Sequence, residues 1–450
     1  MSCTLRLALL ALLALVTSLV GSASPAFASI AQLPRTSFLG VQADKVTDEA
    51  KARLALPDAN GALVIGLVEG GSAKAAGLRV DDVIVGVDGA PVSGPADLVA
   101  RLAPHRAGDR VTIRWIRSGH AESAEVVMRP RPYESAADTR TEYSAIAVNG
   151  SLRRTLVTGP ADDAQHPAVL YITGIGCFSQ ESVGVETTEA KLLHGLARAG
   201  FITMRVEKSG VGDSQGPPCP SAEVDLRTEM AAYVEGLKAL KAVAKVDADR
   251  VFILGLSIGG VHAPMVAQQV PVRGVVVVNT LAKPFIEYLL ETRRRQDTLK
   301  GLPYDEVDRR QRLGEACNHA LLVDRQPPDA LMRARPECAG FIEYAAPHTY
   351  MQQWAALDLS SEWKRVDVLV LIVQGEQDFV ATVADAPLLR DIVDSFHPGR
   401  ATLALISSMD HFLTRVDSMK ASMDNAGKPG VFHTGVLQTI EAWLKARSAG

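Results

Sequence analysis

The sequence predicts an α/β chain: a mostly parallel sheet flanked by helices and interrupted by a helical insertion, preceded by a small β-rich domain. Three observations carry this. From Glu142 onward, apolar segments of strand length alternate with segments whose apolar residues recur at three and four positions. Segments such as Val272–Val278 and Val366–Val373 lack polar alternation, as strands buried on both faces do. Upstream, short strands are punctuated by Glu69-Gly70-Gly71-Ser72, Asp88-Gly89 and Ser118-Gly119 turns.

The N-terminus comes first. Arg6, the 14-residue apolar or small stretch Leu7–Val20 and the triplet Ala26-Phe27-Ala28 have the form of a signal peptide over residues 1–28. The stretch is too short for an ordinary membrane span, and no later run of 18 apolar residues exists. A periplasmic or secreted protein without stable membrane insertion is therefore expected. The net charge of −4 gives no reason to expect nucleic acid or an anionic surface as partner. Four of the five cysteines follow the leader: Cys177, Cys219, Cys317 and Cys338. In an exported chain an even count predicts disulfides, and four allow three pairings. Cys177–Cys219 with Cys317–Cys338 is preferred, because each pair lies within one region and the first joins loops at one sheet edge. None has metal-ligand spacing.

About 420 residues after the leader exceed one ordinary core. The β-rich domain covers 36–131, with strands at Ala62–Val68, Asp82–Val87 and Arg110–Ile116 and a helix over Gly94–Leu102. Pro130, Pro132 and a polar stretch mark a linker, taken as 132–143. In 144–450, strands are expected at Ala168–Thr173, Phe201–Val206, Val251–Leu254, Val272–Val278, Val366–Val373 and Ala401–Ile406. Helices are expected over Glu189–Ala199, Ser221–Val243 and Gly435–Arg447. Residues 281–363 interrupt the alternation as a helical cap. Its Arg293-Arg294-Arg295 and Arg309-Arg310 runs sit among acids and read as a solvated face; a site for an acidic acyl group is the sharper reading. Tyr344, Tyr350, Trp354 and Trp363 are candidates either for an acyl pocket or for core.

The strand Val251–Leu254 runs into Gly255-Leu256-Ser257-Ile258-Gly259. G-x-S-x-G behind a strand suits a sharp turn that exposes a serine above the sheet, with glycines where side chains would clash. A serine hydroxyl needs a base, and the base needs an acid to set its tautomer. Asp378 and His411 follow two later, successive strand ends, Val373 and Ile406, 33 residues apart and in the order serine, acid, histidine. Glu376 is the rival acid. Asp385, Asp410 and Asp417 read as solvated, His262 as structural, and His348 and His433 follow no strand. An oxyanion hole would use the Ile258 amide and one from Gly174-Ile175-Gly176-Cys177, with Ile175 first and Gly176 or Cys177 as alternatives.

These motifs carry two resemblances. Phe38-Leu39-Gly40-Val41, the run Gly70-Gly71-Ser72-Ala73-Lys74-Ala75-Ala76-Gly77-Leu78 and Asp81-Asp82-Val83-Ile84-Val85-Gly86-Val87-Asp88-Gly89 resemble a PDZ domain of the HtrA type. That likeness implies that Phe38, Leu39, Gly40 and Val41 receive a C-terminal carboxylate while the peptide adds as a strand. From Ser144 onward the chain resembles the α/β-hydrolase superfamily, and within it exported esterases of the EstD kind. Glu207-Lys208-Ser209-Gly210-Val211-Gly212-Asp213-Ser214 matches the loop D-x-R-G-x-G-x-S, with Glu207 for Asp and Ser209 for Arg. The likeness implies hydrolysis of a small carboxylic ester through an acyl-enzyme, with no metal or cofactor. A peptidase or acyltransferase using the same triad is one alternative, and an inactive peptide-binding adaptor is another.

Overall fold

The structure is a computed structural model and describes residues 33–183 and 186–449. The leader, 1–28, lies outside the described residues. In the first domain the strands Val41–Lys45, Ala62–Leu67, Val83–Val87, Arg110–Arg117 and His120–Val127 lie side by side in that order. Leu39, Val64, Ile84, Leu98, Ile113 and Trp115 form its core. The helix Pro95–Leu102 packs beside the Val41–Lys45 strand. Among the described strands, Val41–Lys45 pairs only with Ala62–Leu67, so its other edge is open.

The second domain holds an eight-stranded sheet ordered Ala401–Ile406, Leu369–Gly375, Gly274–Val278, Val246–Leu256, His166–Ile172, Ile202–Val206, Ser151–Pro160, Thr139–Val148. The first six are parallel and the last two antiparallel. Alternate residues of the central strands enter two cores. Val251, Ile253, Val275 and Val277 pack toward the helices Leu226–Lys241 and Ile258–Ala267. Phe252, Leu254, Val276 and Val278 pack toward Thr188–Arg198 and Thr434–Ser448. Burial of both faces is the physical reason for the uninterrupted apolar runs.

Several strands went unread in the sequence, Val41–Lys45 among them. Thr139–Val148 and Ser151–Pro160 form a hairpin, and its first strand starts inside the segment expected as linker, 132–143. Its outer strand is half-exposed and polar, so no apolar run marks it. The turn Asn149-Gly150 did mark it: both residues have positive φ, 49° and 78°, which suits the strand twist of a tight hairpin. The strand His120–Val127 follows the Ser118-Gly119 turn in the same way.

Between Gly274–Val278 and Leu369–Gly375, helices run from Phe285–Leu299 to Leu359–Lys364 and form the cap. The disulfide Cys317–Cys338 closes within it, and Cys177–Cys219 joins the loops after two neighbouring strands. The arginine runs are structural. Arg310 pairs with the buried Asp297, Arg294 with Asp308 and Arg309 with Glu306. Arg295 donates to the carbonyls of Phe379 and Val380, which bolts the cap to the loop after Gly375.

The two domains share a charged junction. Arg35, ahead of the first domain, pairs with Asp213 and Glu181 of the second. Its guanidinium lies against the rings of both Tyr133 and Tyr143, 4.7 and 4.9 Å from their centroids. Arg131 also pairs with Glu181, at 2.6 Å. Glu134, inside the expected linker, is buried and receives Arg205, His194 and the Ser182 amide. The segment is anchored, not loose.

Candidate active site

Ser257 sits between the Val246–Leu256 strand and the Ile258–Ala267 helix with φ 55° and ψ −123°. An L-residue rarely adopts that conformation, and its neighbours impose it. A Cβ on Gly255 would stand 2.3 Å from the Gly259 carbonyl oxygen, and one on Gly259 would stand 2.1 Å from that of Ile172. Only glycine fits at either place. The Ser257 amide donates to Val278 O at 2.9 Å, and Thr280 Oγ1 donates to Ser257 O at 2.8 Å.

Three distant segments converge here. His411 Nε2 lies 3.1 Å from Ser257 Oγ, and His411 Nδ1 lies 2.8 Å from Asp378 Oδ2. Asp378 is fully buried, and its Oδ1 accepts the amides of Val380 and Ala381 at 2.7 and 2.8 Å. The carboxylate therefore cannot turn away from the imidazole. Burial by itself lowers the His411 pKa, but the charge and hydrogen bond of Asp378, with Asp410 and Glu189 beyond, raise it above the usual histidine value. A hydroxyl, an imidazole and a carboxylate so placed can move a proton off the hydroxyl as it attacks.

The rivals fall elsewhere. Glu376 is half-buried, and its amide binds Ile406 O. His262 is fully buried with Nε2 3.2 Å from the Tyr350 hydroxyl, and burial pushes its pKa down to about 4, so it stays neutral. His433 caps the last helix, and His348 opens another. Asp417 is exposed, as expected for a solvated acid. Asp410 and Asp385 require correction, for both are buried. Asp410 accepts the Phe412 and Thr414 amides and the Thr414 hydroxyl, which shapes the loop behind His411. Burial pushes the Asp385 carboxyl up to about 6.

Asn279 was missed. It is fully buried at the end of the Gly274–Val278 strand with φ 50°. Its Nδ2 donates to the carbonyls of Asp410 and His411, and its Oδ1 accepts the Gly375 amide. One side chain thus ties the loop of His411 to the strand end that precedes Asp378. Its signal was an amide residue directly after four valines at a carboxyl strand end.

Ile175 and Ile258 both line a cavity of about 610 Å³ together with Ser257 and His411. Ile258 opens a helix, where the first amides have no acceptor within the helix and the dipole favours negative charge. Phe178, Leu281, Phe285, Tyr288, Tyr344 and Trp354 make most of the wall apolar. Of the four cap aromatics, Tyr344 and Trp354 line this space; Tyr350 packs on His262, and Trp363 is core. In the neighbouring loop Glu207 is buried, accepts from Ser179 Oγ at 2.6 Å and is pushed up to about 7 by burial. Ser209 Oγ donates to Pro217 O. Both replacements in the loop motif act in packing.

The family model for the alpha/beta hydrolase family matches residues 169–417, a span holding Ser257, Asp378 and His411. The chain belongs to the α/β-hydrolase family. A PDZ-domain model matches residues 37–128. Esterase EstD from Thermotoga maritima is 26% identical over 309 residues, 67% of each chain. A probable periplasmic serine endoprotease DegP-like from Bartonella henselae is 32% identical over 136 residues, 29% of this chain and 26% of its own length, so the chain spans about a quarter of that relative. Among solved structures, Est1E from Butyrivibrio proteoclasticus is similar at 13% identity and a TM-score of 0.44, covering 69% of this chain and 99% of Est1E. The fold expected from the sequence, a PDZ domain ahead of an α/β-hydrolase sheet, is the fold found.

Among the described residues, no group of three or more His, Cys, Asp or Glu is placed to hold a metal ion. Nor is any helix of the described residues long and apolar enough to cross a membrane.

Proposed function

We propose that this α/β-hydrolase is an exported serine hydrolase that cleaves small carboxylic esters. The observation that carries the reading is the relay from Asp378 through His411 to Ser257 at the floor of an apolar cavity. Ser257 Oγ attacks the ester carbonyl carbon while His411 takes its proton. The amides of Ile258 and Ile175 hold the negative oxygen of the tetrahedral intermediate. His411 returns the proton to the departing alkoxide, and an alcohol leaves an acyl-serine. Water, deprotonated by His411, then attacks the acyl-serine; the acid is released and Ser257 regains its proton. Asp378 keeps Nδ1 protonated and Nε2 facing the serine throughout.

The cap supports an ester over a polypeptide. A cavity of about 610 Å³ walled by cap helices is the size of a small-molecule site. Two disulfides, together with the DegP-like relatives described as periplasmic, support a periplasmic or secreted location. The PDZ domain is proposed to bind C-terminal peptides along the open edge of Val41–Lys45, beside the Pro95–Leu102 helix. Gly40, with φ 78°, lies where a Cβ would meet Gly71 Cα at 2.6 Å, which keeps the Phe38–Val41 loop tight.

The test is direct. Nitrophenyl esters should be hydrolysed and aminoacyl anilides should not. A fluorophosphonate should label the protein, and Ser257→Ala should abolish both labelling and turnover. Anilide cleavage without ester cleavage would make it a peptidase, and an unlabelled wild type would make it an adaptor.

A further inference from the structure

We propose that Lys208 is a positioning residue for the oxyanion hole: its ammonium holds the peptide unit between Gly174 and Ile175 so that the Ile175 N–H faces Ser257. The inference rests on the ester-hydrolase reading and deepens it.

Lys208 is only 7% exposed, an expensive position for an ammonium group. Its Nζ donates to the Gly174 carbonyl at 3.0 Å and pairs with Glu229 at 2.9 Å. Glu229 is buried as well and accepts the Tyr233 hydroxyl. Burial alone pushes the Glu229 carboxyl up, yet Lys208 beside it brings it below its ordinary value. The pair thus places one cationic donor on one particular carbonyl.

That carbonyl belongs to the reacting site. A Cβ on Gly174 would stand 3.5 Å from Ser257 Cβ, so the peptide passes directly beside the serine. The described peptide bonds include no cis bond. In a planar trans unit the C=O and the N–H point to opposite sides. A donor seated on Gly174 O therefore decides where the Ile175 N–H points, and Ile175 lines the cavity with Ser257 and His411. Glycine would otherwise let this peptide rotate at little cost. A cation on the carbonyl also draws charge through the amide and strengthens its N–H as a donor. The Cys177–Cys219 disulfide holds the far end of the same loop.

The experiment compares full-chain wild type with Lys208→Met, with Lys208→Met/Glu229→Gln, which avoids an unpaired buried carboxylate, and with Lys208→Arg. Folding is checked by circular dichroism and thermal unfolding. The readouts are kcat and KM on a nitrophenyl ester and inhibition by an alkyl boronic acid, whose tetrahedral adduct on Ser257 puts an oxygen in the oxyanion hole. Misorienting a donor should cost less than deleting one, so kcat should fall roughly 10- to 100-fold while KM moves by less than about threefold. Boronic acid affinity should fall with kcat, and Lys208→Arg should recover part of both.

A folded double variant that keeps kcat and boronic acid affinity within about twofold of wild type overturns the proposal. So does a loss confined to KM, or a failure of both Met variants to fold, which would make Lys208 a folding residue. A wild type that neither hydrolyses esters nor takes up fluorophosphonate sinks the esterase reading instead. An active, labelled wild type with indifferent Lys208 variants sinks this inference alone.

Discussion

In the proposed reaction, side chains at the site divide into those that meet substrate and those that aim them, and Asp378 aims. Replacing it with Asn keeps the shape but presents a donor to His411 Nδ1 and favours the wrong tautomer. kcat should fall roughly 10³- to 10⁴-fold with little change in KM, as read from ester kinetics. As the proposed base, His411 must be neutral in wild type, and its pKa is raised above the ordinary value of 6.5. The acid limb of the kcat/KM profile should therefore lie above 6.5. Glu207 makes a second test. Its folded pKa of about 7 stands above the ordinary 4.5, so it adds stability below pH 4.5 that disappears as pH rises through 7. Glu207→Gln mimics the protonated form. It should raise stability at pH 8 by on the order of 1–3 kcal/mol and lose that advantage below about pH 5, as measured by thermal unfolding across pH.

The elbow and the cap are the elements on which the site depends. Gly259→Ala would drive a methyl to 2.1 Å from the Ile172 carbonyl oxygen, which is backbone and cannot swing aside. The variant should either fail to fold or lose fluorophosphonate labelling, because relief requires moving the helix that carries the Ile258 amide. Cys317–Cys338 closes a loop of 21 residues in sequence separation inside the cap. Its removal by Cys→Ala replacement at both positions should cost about 2–4 kcal/mol, seen as a lower denaturation midpoint. Arg295 clamps the Phe285–Leu299 helix to Phe379 and Val380, so cap and acid-bearing loop should respond together to perturbation.

Over the whole molecule, the junction unites two domains that the sequence separates by a linker. Glu134 binds Arg205 and His194 in the second domain while Arg131 and Arg35 reach Glu181. Burial alone pushes the Glu134 carboxyl up, but His194 and Arg205 hold it at about 2, below the ordinary 4.5. Its stabilising effect is therefore present above pH 4.5 and lost as pH falls toward 2. Urea unfolding between pH 5 and 2.5 should show a steep decline, and Glu134→Gln should flatten it. At pH 7 that variant should lose about 3–5 kcal/mol, because Arg205 would be left buried without its counter-charge.

Period and punctuation suffice for much of this protein. Double-sided burial writes itself as unbroken apolar runs, and the elbow glycines are demanded by a clash local to one turn. The convergence of Ser257, Asp378 and His411 was legible because each follows a strand whose apolar pattern is plain, and strand ends of a parallel sheet share one edge. The hairpin Thr139–Pro160 was not: its edge strand has one wet face and keeps polar residues there, and its inner strand buries Arg153, Arg154, Thr155 and Thr158 where an apolar run would be read. Asn279, Asp410 and the Lys208–Glu229 pair were equally silent. A buried polar residue looks like a solvated one in a string of letters, and only the fold decides which distant carbonyl or amide it will meet.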